Sequence, residues 1–132
     1  MSTLFTKIIE GEIPGQFVYK DELAVAFMTI QPAQPGHLLV VPREEVDHWD
    51  DLSSDLSAHL MALSTRLAKV QKQVYGCKRI ALSILGLEVP HVHLHLVPIN
   101  EMQDMSFGGG AFSEQAELAI EAEKIRAALE AS

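Results

Sequence analysis

Between Ser54 and Tyr75, apolar side chains recur at Leu56, Leu60, Leu63, Leu67, Val70 and Val74, in steps of four, three, four, three and four. That spacing keeps one stripe on one face and predicts the chain's longest helix. Ser53 or Ser54 caps its start, Asp55 suits the first turn, Lys69 and Lys72 suit the last turns, and Gly76 ends it. A different rhythm marks five short runs: "FVYK" from Phe17, "LAVAFMTI" from Leu23, "HLLVVP" from His37, "RIALSIL" from Arg79, and "HVHLHLVP" from His91. Each predicts a strand. Asp21-Glu22 turns the first into the second, and "QPAQPG" separates the second from the third. "TLFTKIIEGE" predicts a short opening helix with Thr3 as N-cap and Gly11 as its end. A last helix starts at Ser113 and runs to about residue 130, with a weaker stripe at Leu118, Ala122, Ile125 and Leu129. Three strands joined by short turns, a long helix and two more strands predict antiparallel pairing and an α+β fold.

The 132 residues predict one domain spanning 1–132, and the 48% hydrophobic and 21% charged composition predicts a compact globule. A mobile loop is expected over about 101–112, where "MQDMSFGGGAF" combines three glycines with two Met and two Phe. A net charge of −8 argues against a nucleic-acid polymer or an anionic membrane as partner, while a small anionic substrate needs only a local cluster of donors. Cys77, the single cysteine, excludes an intrachain disulfide. Lys7 and Glu10 interrupt the start too early for a signal peptide, and no run reaches transmembrane length. The expected setting is the cytoplasm.

His91, His93 and His95 place half of the six histidines in five positions. On a strand all three share a face, and Val92, Leu94 and Leu96 share the other. One isolated histidine reads as structural, whereas three in register do not read as packing. One functional reading is a metal site, because H-x-H on a strand makes a pair of zinc ligands. The first and third rings, however, lie roughly 13 Å apart along a strand. No local carboxylate or thiolate completes the shell, so no metal is expected. The other reading is phosphoryl chemistry: imidazole is a nucleophile toward phosphorus and, when protonated, a donor to phosphate oxygens. His37 is the natural fourth member if its strand adjoins the last one. His48 and His59 fit solvated or packing roles.

"HVHLHLVP" resembles the signature of the histidine triad, or HIT, family. "FTKIIEGEIP" looks like that family's opening helix and turn, and "FMTIQPAQPGHLLVVP" like its central hairpin. The resemblance implies a five-stranded antiparallel sheet with one long helix and short terminal helices. His95, where the nucleotidyltransferase branch has glutamine, places the chain with the hydrolases, and its length fits the short Hint-like branch. By resemblance, His93 is the nucleophile that carries a nucleotidyl group. His95 contacts phosphate and aids the leaving group, His91 holds the nucleophile's geometry, and His37 supports from the hairpin. Main chain at Glu88 and Val89 borders the phosphate. Leu4, Phe5, Ile8, Ile30 and Leu39 align with apolar residues around the base, where some are simply core. A two-fold homodimer joined through the long helix and fourth strand is also implied, with no cofactor.

Departures from the pattern qualify the substrate. The acidic residue that grips ribose aligns with Thr29, the usual glutamine with Leu87, and the usual asparagine has Ser83 as its nearest counterpart. The zinc-binding cysteines of some members align with Thr3 and Thr6, and a zinc histidine with Glu45, so structural zinc is expected to be absent. The expected function is hydrolysis of a nucleotidyl bond, in a purine nucleoside phosphoramidate or related nucleotide, through a covalent nucleotidyl-histidine. Dinucleoside polyphosphate hydrolysis, a nucleotide-binding module with little catalysis, and a metal-binding module stay open as alternatives.

Overall fold

The computed structural model describes residues 2–106 and 111–132. The elements are α1 (Leu4–Ile9), β1 (Phe17–Lys20), β2 (Ala24–Met28), β3 (Leu38–Pro42), α2 (Ser54–Tyr75), β4 (Arg79–Ser83), β5 (Leu94–Ile99) and α3 (Gln115–Ala131). The strands form one sheet in the order β1-β2-β3-β5-β4, antiparallel at every pairing. The expected α+β architecture is present. β3 and β5 are neighbours, and that pairing brings the run after His37 alongside the histidine segment.

Alternation gives the sheet two apolar faces. Ala26, Met28, Leu38, Val40, Leu94 and Leu96 pack against the α2 stripe and against Leu118, Ala122, Ile125 and Leu129 of α3. On the other face, Val25, Phe27, Leu39 and Val41 pack with Phe5 and Ile8 of α1. β2 and β3 are therefore buried at every position. The caps of α2 follow the sequence: Ser53 accepts from the Leu56 N–H, and Gly76 adopts φ 60° at the C-terminus. Thr3 caps α1 by accepting from the Thr6 N–H.

Several boundaries differ from the expected ones, each for a visible reason. β2 omits Leu23, Thr29 and Ile30. The Asp21 carboxylate takes the Leu23 and Ala24 N–H groups to close the turn, and Ile30 turns its carbonyl to the Ser113 N–H. That same bond delays α3 to Gln115, two residues beyond the expected start. β5 begins at Leu94 rather than His91, because the His91 N–H bonds Val89 O and the Val92 N–H bonds Val46 O. In the expected loop, Met102–Met105 form a 3-10 turn closed by a reciprocal Glu101–Asp104 cap. Residues 107–110 of that loop lie outside the described residues.

Gly36 precedes the histidine of the hairpin with φ +86°, and a Cβ there would lie 2.3 Å from the Tyr75 ring. Gly36→Ala is expected to cost about 2–4 kcal/mol, from left-handed strain plus overpacking, read as a lower urea midpoint at unchanged slope. The wholly buried Gln71 of α2 donates to both Gly36 O and Leu96 O. It ties the helix to main chain next to His37 and to His95.

Candidate active site

Four of the six histidines lie in a row along the β3–β5 pairing, from His37 before β3, past His95 opposite Leu39, to His91 beside Pro42 at its end. His37 is 1% exposed, His91 0% and His93 7%. The rings of His93 and His95 are 4.9 Å apart, those of His37 and His95 5.2 Å. His91 and His93 precede the hydrogen-bonded ladder, yet Phe5 packs edge-on against both rings, so they share the α1 face. Val92 and Leu94 point to the α2 side.

Hydrogen-bond partners fix which nitrogens carry protons. The Ala33 N–H donates to His37 Nδ1 at 3.0 Å, leaving the proton of the neutral ring on Nε2. That Nε2 lies 2.9 Å from His95 Nδ1 and donates to it, which puts the His95 proton on Nε2. His93 Nδ1 donates to the His91 carbonyl at 2.7 Å, so its Nε2 carries the lone pair. His91 Nε2 donates to Pro42 O at 2.7 Å, and its Nδ1 lies 2.6 Å from Thr3 Oγ1. Adjacent rings thus present opposite faces to a ligand: a base at His93 and a hydrogen-bond donor at His95.

Burial favours the neutral form of His37, His93 and His95. It is the main cause lowering His93, opposed first by the hydrogen bond to the His91 carbonyl and then by the nearby Glu88 carboxylate. Burial and the charge of His93 take His95 down to about 4, and burial with the charges of His95 and His93 takes His37 to about 3. A cavity of about 260 Å³ opens beside His93 and His95, lined also by Gln31, Leu85, Gly86, Leu87 and Glu88. A larger groove of about 420 Å³ between the "QPAQPG" turn and α3 contains no histidine. The chemistry therefore points to the smaller one.

The other expected residues divide. Glu88 lines the cavity, while Val89 packs on the second core cluster. Phe5, Ile8 and Leu39 are buried in that cluster, and Leu4 and Ile30 are about half exposed. Thr29 accepts from the Gln31 N–H and binds His37 O through its own N–H. Ser83 stands opposite His95 in the β4–β5 register, its hydroxyl enclosed and without a hydrogen-bond partner among the described residues. Gln31, Leu85 and Gly86 were not singled out from sequence. Gly86, at φ +70° beyond the end of β4, was the available signal, since it turns the chain over the cavity. His48 is exposed, and His59 pairs with Asp21 at 2.7 Å away from the cluster. Among the described residues no group of three His, Cys, Asp or Glu side chains could hold a metal ion.

A buried histidine cluster at the junction of two antiparallel strands, opening on a small cavity, defines a protein built for phosphoryl-group chemistry. Residues 10–102 match the HIT domain family, and the chain belongs to that family. It is 34% identical over 102 residues to the purine nucleoside phosphoramidase of Escherichia coli K12, covering 72% of this chain and 85% of that one. It is also 34% identical over 96 residues to an adenosine 5'-monophosphoramidase of Saccharomyces cerevisiae, covering 72% and 61%. A crystal structure of a HIT-like protein involved in cell-cycle regulation from Bartonella henselae superposes with TM-score 0.85 at 29% identity, covering 96% of both chains.

Proposed function

We propose that the protein hydrolyses a nucleoside phosphoramidate, with a purine nucleotide as substrate class, through a covalent nucleotidyl-histidine. The observation that carries this reading is the His93 ring, whose Nδ1–H is held by His91 O while Nε2 keeps its lone pair beside the His95 donor. The activities named for the two relatives support the same substrate class. In the first step His93 Nε2 bonds the α-phosphorus as the P–N bond breaks. A bound phosphoryl anion raises the basicity of His95, whose protonated ring then passes a proton to the departing amine. Water attacks phosphorus next, returns a proton to His95 and releases the nucleoside monophosphate. His37 holds His95 through the ring–ring bond, and the enclosed Ser83 hydroxyl offers a donor on the same face. Main chain at Glu88 and Val89 borders the phosphate, and the half-exposed Leu4 and Ile30 offer apolar surface to the base, backed by Phe5, Ile8 and Leu39 in the core.

Steady-state turnover of adenosine phosphoramidate tests this, run beside a dinucleoside polyphosphate on one preparation. Faster amine release than polyphosphate cleavage is expected. Mononucleotide binding with no turnover of either would replace the enzyme by a binding module. Thr29 offers one hydroxyl where a carboxylate would clasp both ribose oxygens. Thr29→Asp is accordingly expected to lower KM for the adenosine substrate about tenfold, measured against a deoxyribose analogue that should not respond.

We also infer a two-fold homodimer and a cytoplasmic setting. β4 is an edge strand, and Met61 of α2 and Leu82 of β4 are exposed beside it. Sedimentation equilibrium should give twice the chain mass. No described helix is long and apolar enough to cross a membrane.

A further inference from the structure

The nucleophile is tied to a second polar cluster that the proposed reaction leaves unused. Glu45, exposed just beyond β3, accepts from the Thr6 hydroxyl at 2.5 Å and from the Thr3 N–H at 2.8 Å through the same oxygen, Oε1. Thr3 Oγ1 accepts from the Thr6 N–H at 3.1 Å, lies 3.2 Å from Thr6 Oγ1, and sits 2.6 Å from His91 Nδ1. Each hydroxyl has one proton, so the directions are determined. The Thr6 proton goes to the carboxylate, which leaves Thr6 Oγ1 as an acceptor. His91 Nε2 already donates to Pro42 O, and a carbonyl only accepts, so the neutral ring has a bare Nδ1. The Thr3 proton goes to that nitrogen, the nearer of its two neighbours, so the 3.2 Å approach of the two hydroxyls carries no proton and Thr3 Oγ1 is held by the Thr6 N–H instead. Both edges of the His91 imidazole are then fixed, and the carbonyl of the same residue holds His93 Nδ1.

The geometry points to Glu45 as a positioning residue, which grips the Thr3 N–H and the Thr6 hydroxyl at the start of α1 and so, through the Thr3 hydroxyl and the pinned His91, holds the His93 ring in its reactive orientation. The assignment rests on His93 being the nucleophile. It concerns the positions at which some family members carry structural zinc, and the donor set here does not suit that ion. Two of the four groups are neutral hydroxyls, whereas zinc takes thiolate, imidazole and carboxylate. Hydrogen bonds from one carboxylate do the tethering instead. The Thr6 hydroxyl and the Thr3 N–H also hold the Glu45 carboxyl below its ordinary value, so the anchor is anionic at neutral pH. Two sequence-distant segments are joined this way, the start of α1 and the turn after β3, and Phe5 follows from α1 to cover both rings.

The test compares Glu45→Leu, Thr6→Val and Thr6→Ser in the full chain, leaving the Thr3 cap intact. Turnover of adenosine phosphoramidate is measured beside the imidazole 15N resonances of His91 and His93. Glu45→Leu and Thr6→Val should lower kcat about 5–10-fold with KM within about twofold, the size of one lost hydrogen bond expressed in the transition state. Both should shift the His91 Nδ1 signal, and Thr6→Ser should restore kcat and signal together. Unmoved resonances with unchanged kcat would overturn the assignment. So would a loss of kcat that follows melting temperature and that Thr6→Ser does not rescue. If the wild-type protein turns over no phosphoramidate, the proposed reaction fails, and the resonances of the three variants still decide whether Glu45 holds the ring.

Discussion

His93→Ala is expected to reduce turnover of adenosine phosphoramidate by about 10⁴-fold or more while leaving nucleotide binding within a few fold. Removing a nucleophile removes the covalent route altogether, and losses on that scale accompany the deletion of a group that acts as one unit with its partners. The ring makes a single hydrogen bond to main chain and packs on Phe5, so its removal leaves the His37–His95 pair in place. His95→Ala should cost less, because His95 donates and stabilises charge without forming the bond. His37→Ala should fall below His95→Ala in effect, since it acts only through that ring. Single-turnover rates on the three variants check the ranking. Equal losses at His93 and His37 would contradict the division of roles, and a His93→Ala protein with near-normal kcat would remove the nucleophile assignment.

Unfolding free energy is expected to fall steeply as pH drops below about 6.5. His37 and His95 titrate near 6.5 in an unfolded chain but are held at about 3 and about 4 when folded, chiefly by burial. Between those values the unfolded chain binds protons that the folded one refuses. Stability therefore rises with pH, by about 1.4 kcal/mol per unit for each ring. The contribution is complete above the unfolded value and disappears progressively as pH falls toward the folded ones. These two rings give a slope approaching roughly 2.7 kcal/mol per pH unit toward pH 5, and the lowered His93 adds in the same direction. The lowered carboxyls of Asp21, Glu45 and Glu121 act in the same direction, but they add their loss only nearer their own ordinary range. Urea titrations at pH 7.5, 6 and 5 measure the slope, and His37→Gln should remove one ring's share, about 1.4 kcal/mol per unit at most. A flat profile over that window would mean the buried rings are protonated in the folded state.

Much of this arrangement was legible in the sequence. The leucine and valine stripe of α2 gave both its length and its caps, since a helix with Ser before it and Gly after it has little freedom in its ends. The H-x-H-x-H pattern gave the shared face of the three rings even though two of them precede the ladder. An extended backbone alternates its side chains whether or not it pairs. What stayed hidden was long-range pairing. The family resemblance places Thr3, Thr6 and Glu45 at one site, but nothing local announces the hydrogen bonds they make across some forty residues, or that Val46 pulls Val92 out of the sheet. At the cavity wall Gly86 marks a turn after β4, but a short apolar run ending in a glycine does not say what lies beneath it. The apolar residues assigned to the base bed divided between core and surface for a similar reason. Hydrophobicity marks burial or binding alike, and only the packing of α1 on β2 and β3 separates Phe5, Ile8 and Leu39 from the exposed Leu4 and Ile30.

The most direct test is rapid acid-free quenching of the wild-type enzyme during turnover of adenosine phosphoramidate, followed by intact-mass and peptide mass spectrometry. The account predicts a transient protein species heavier by one adenylyl group, located on the peptide containing His93 and absent from His93→Ala. Steady release of nucleoside monophosphate with no such species at any time, or an adenylyl group on another residue, would contradict it.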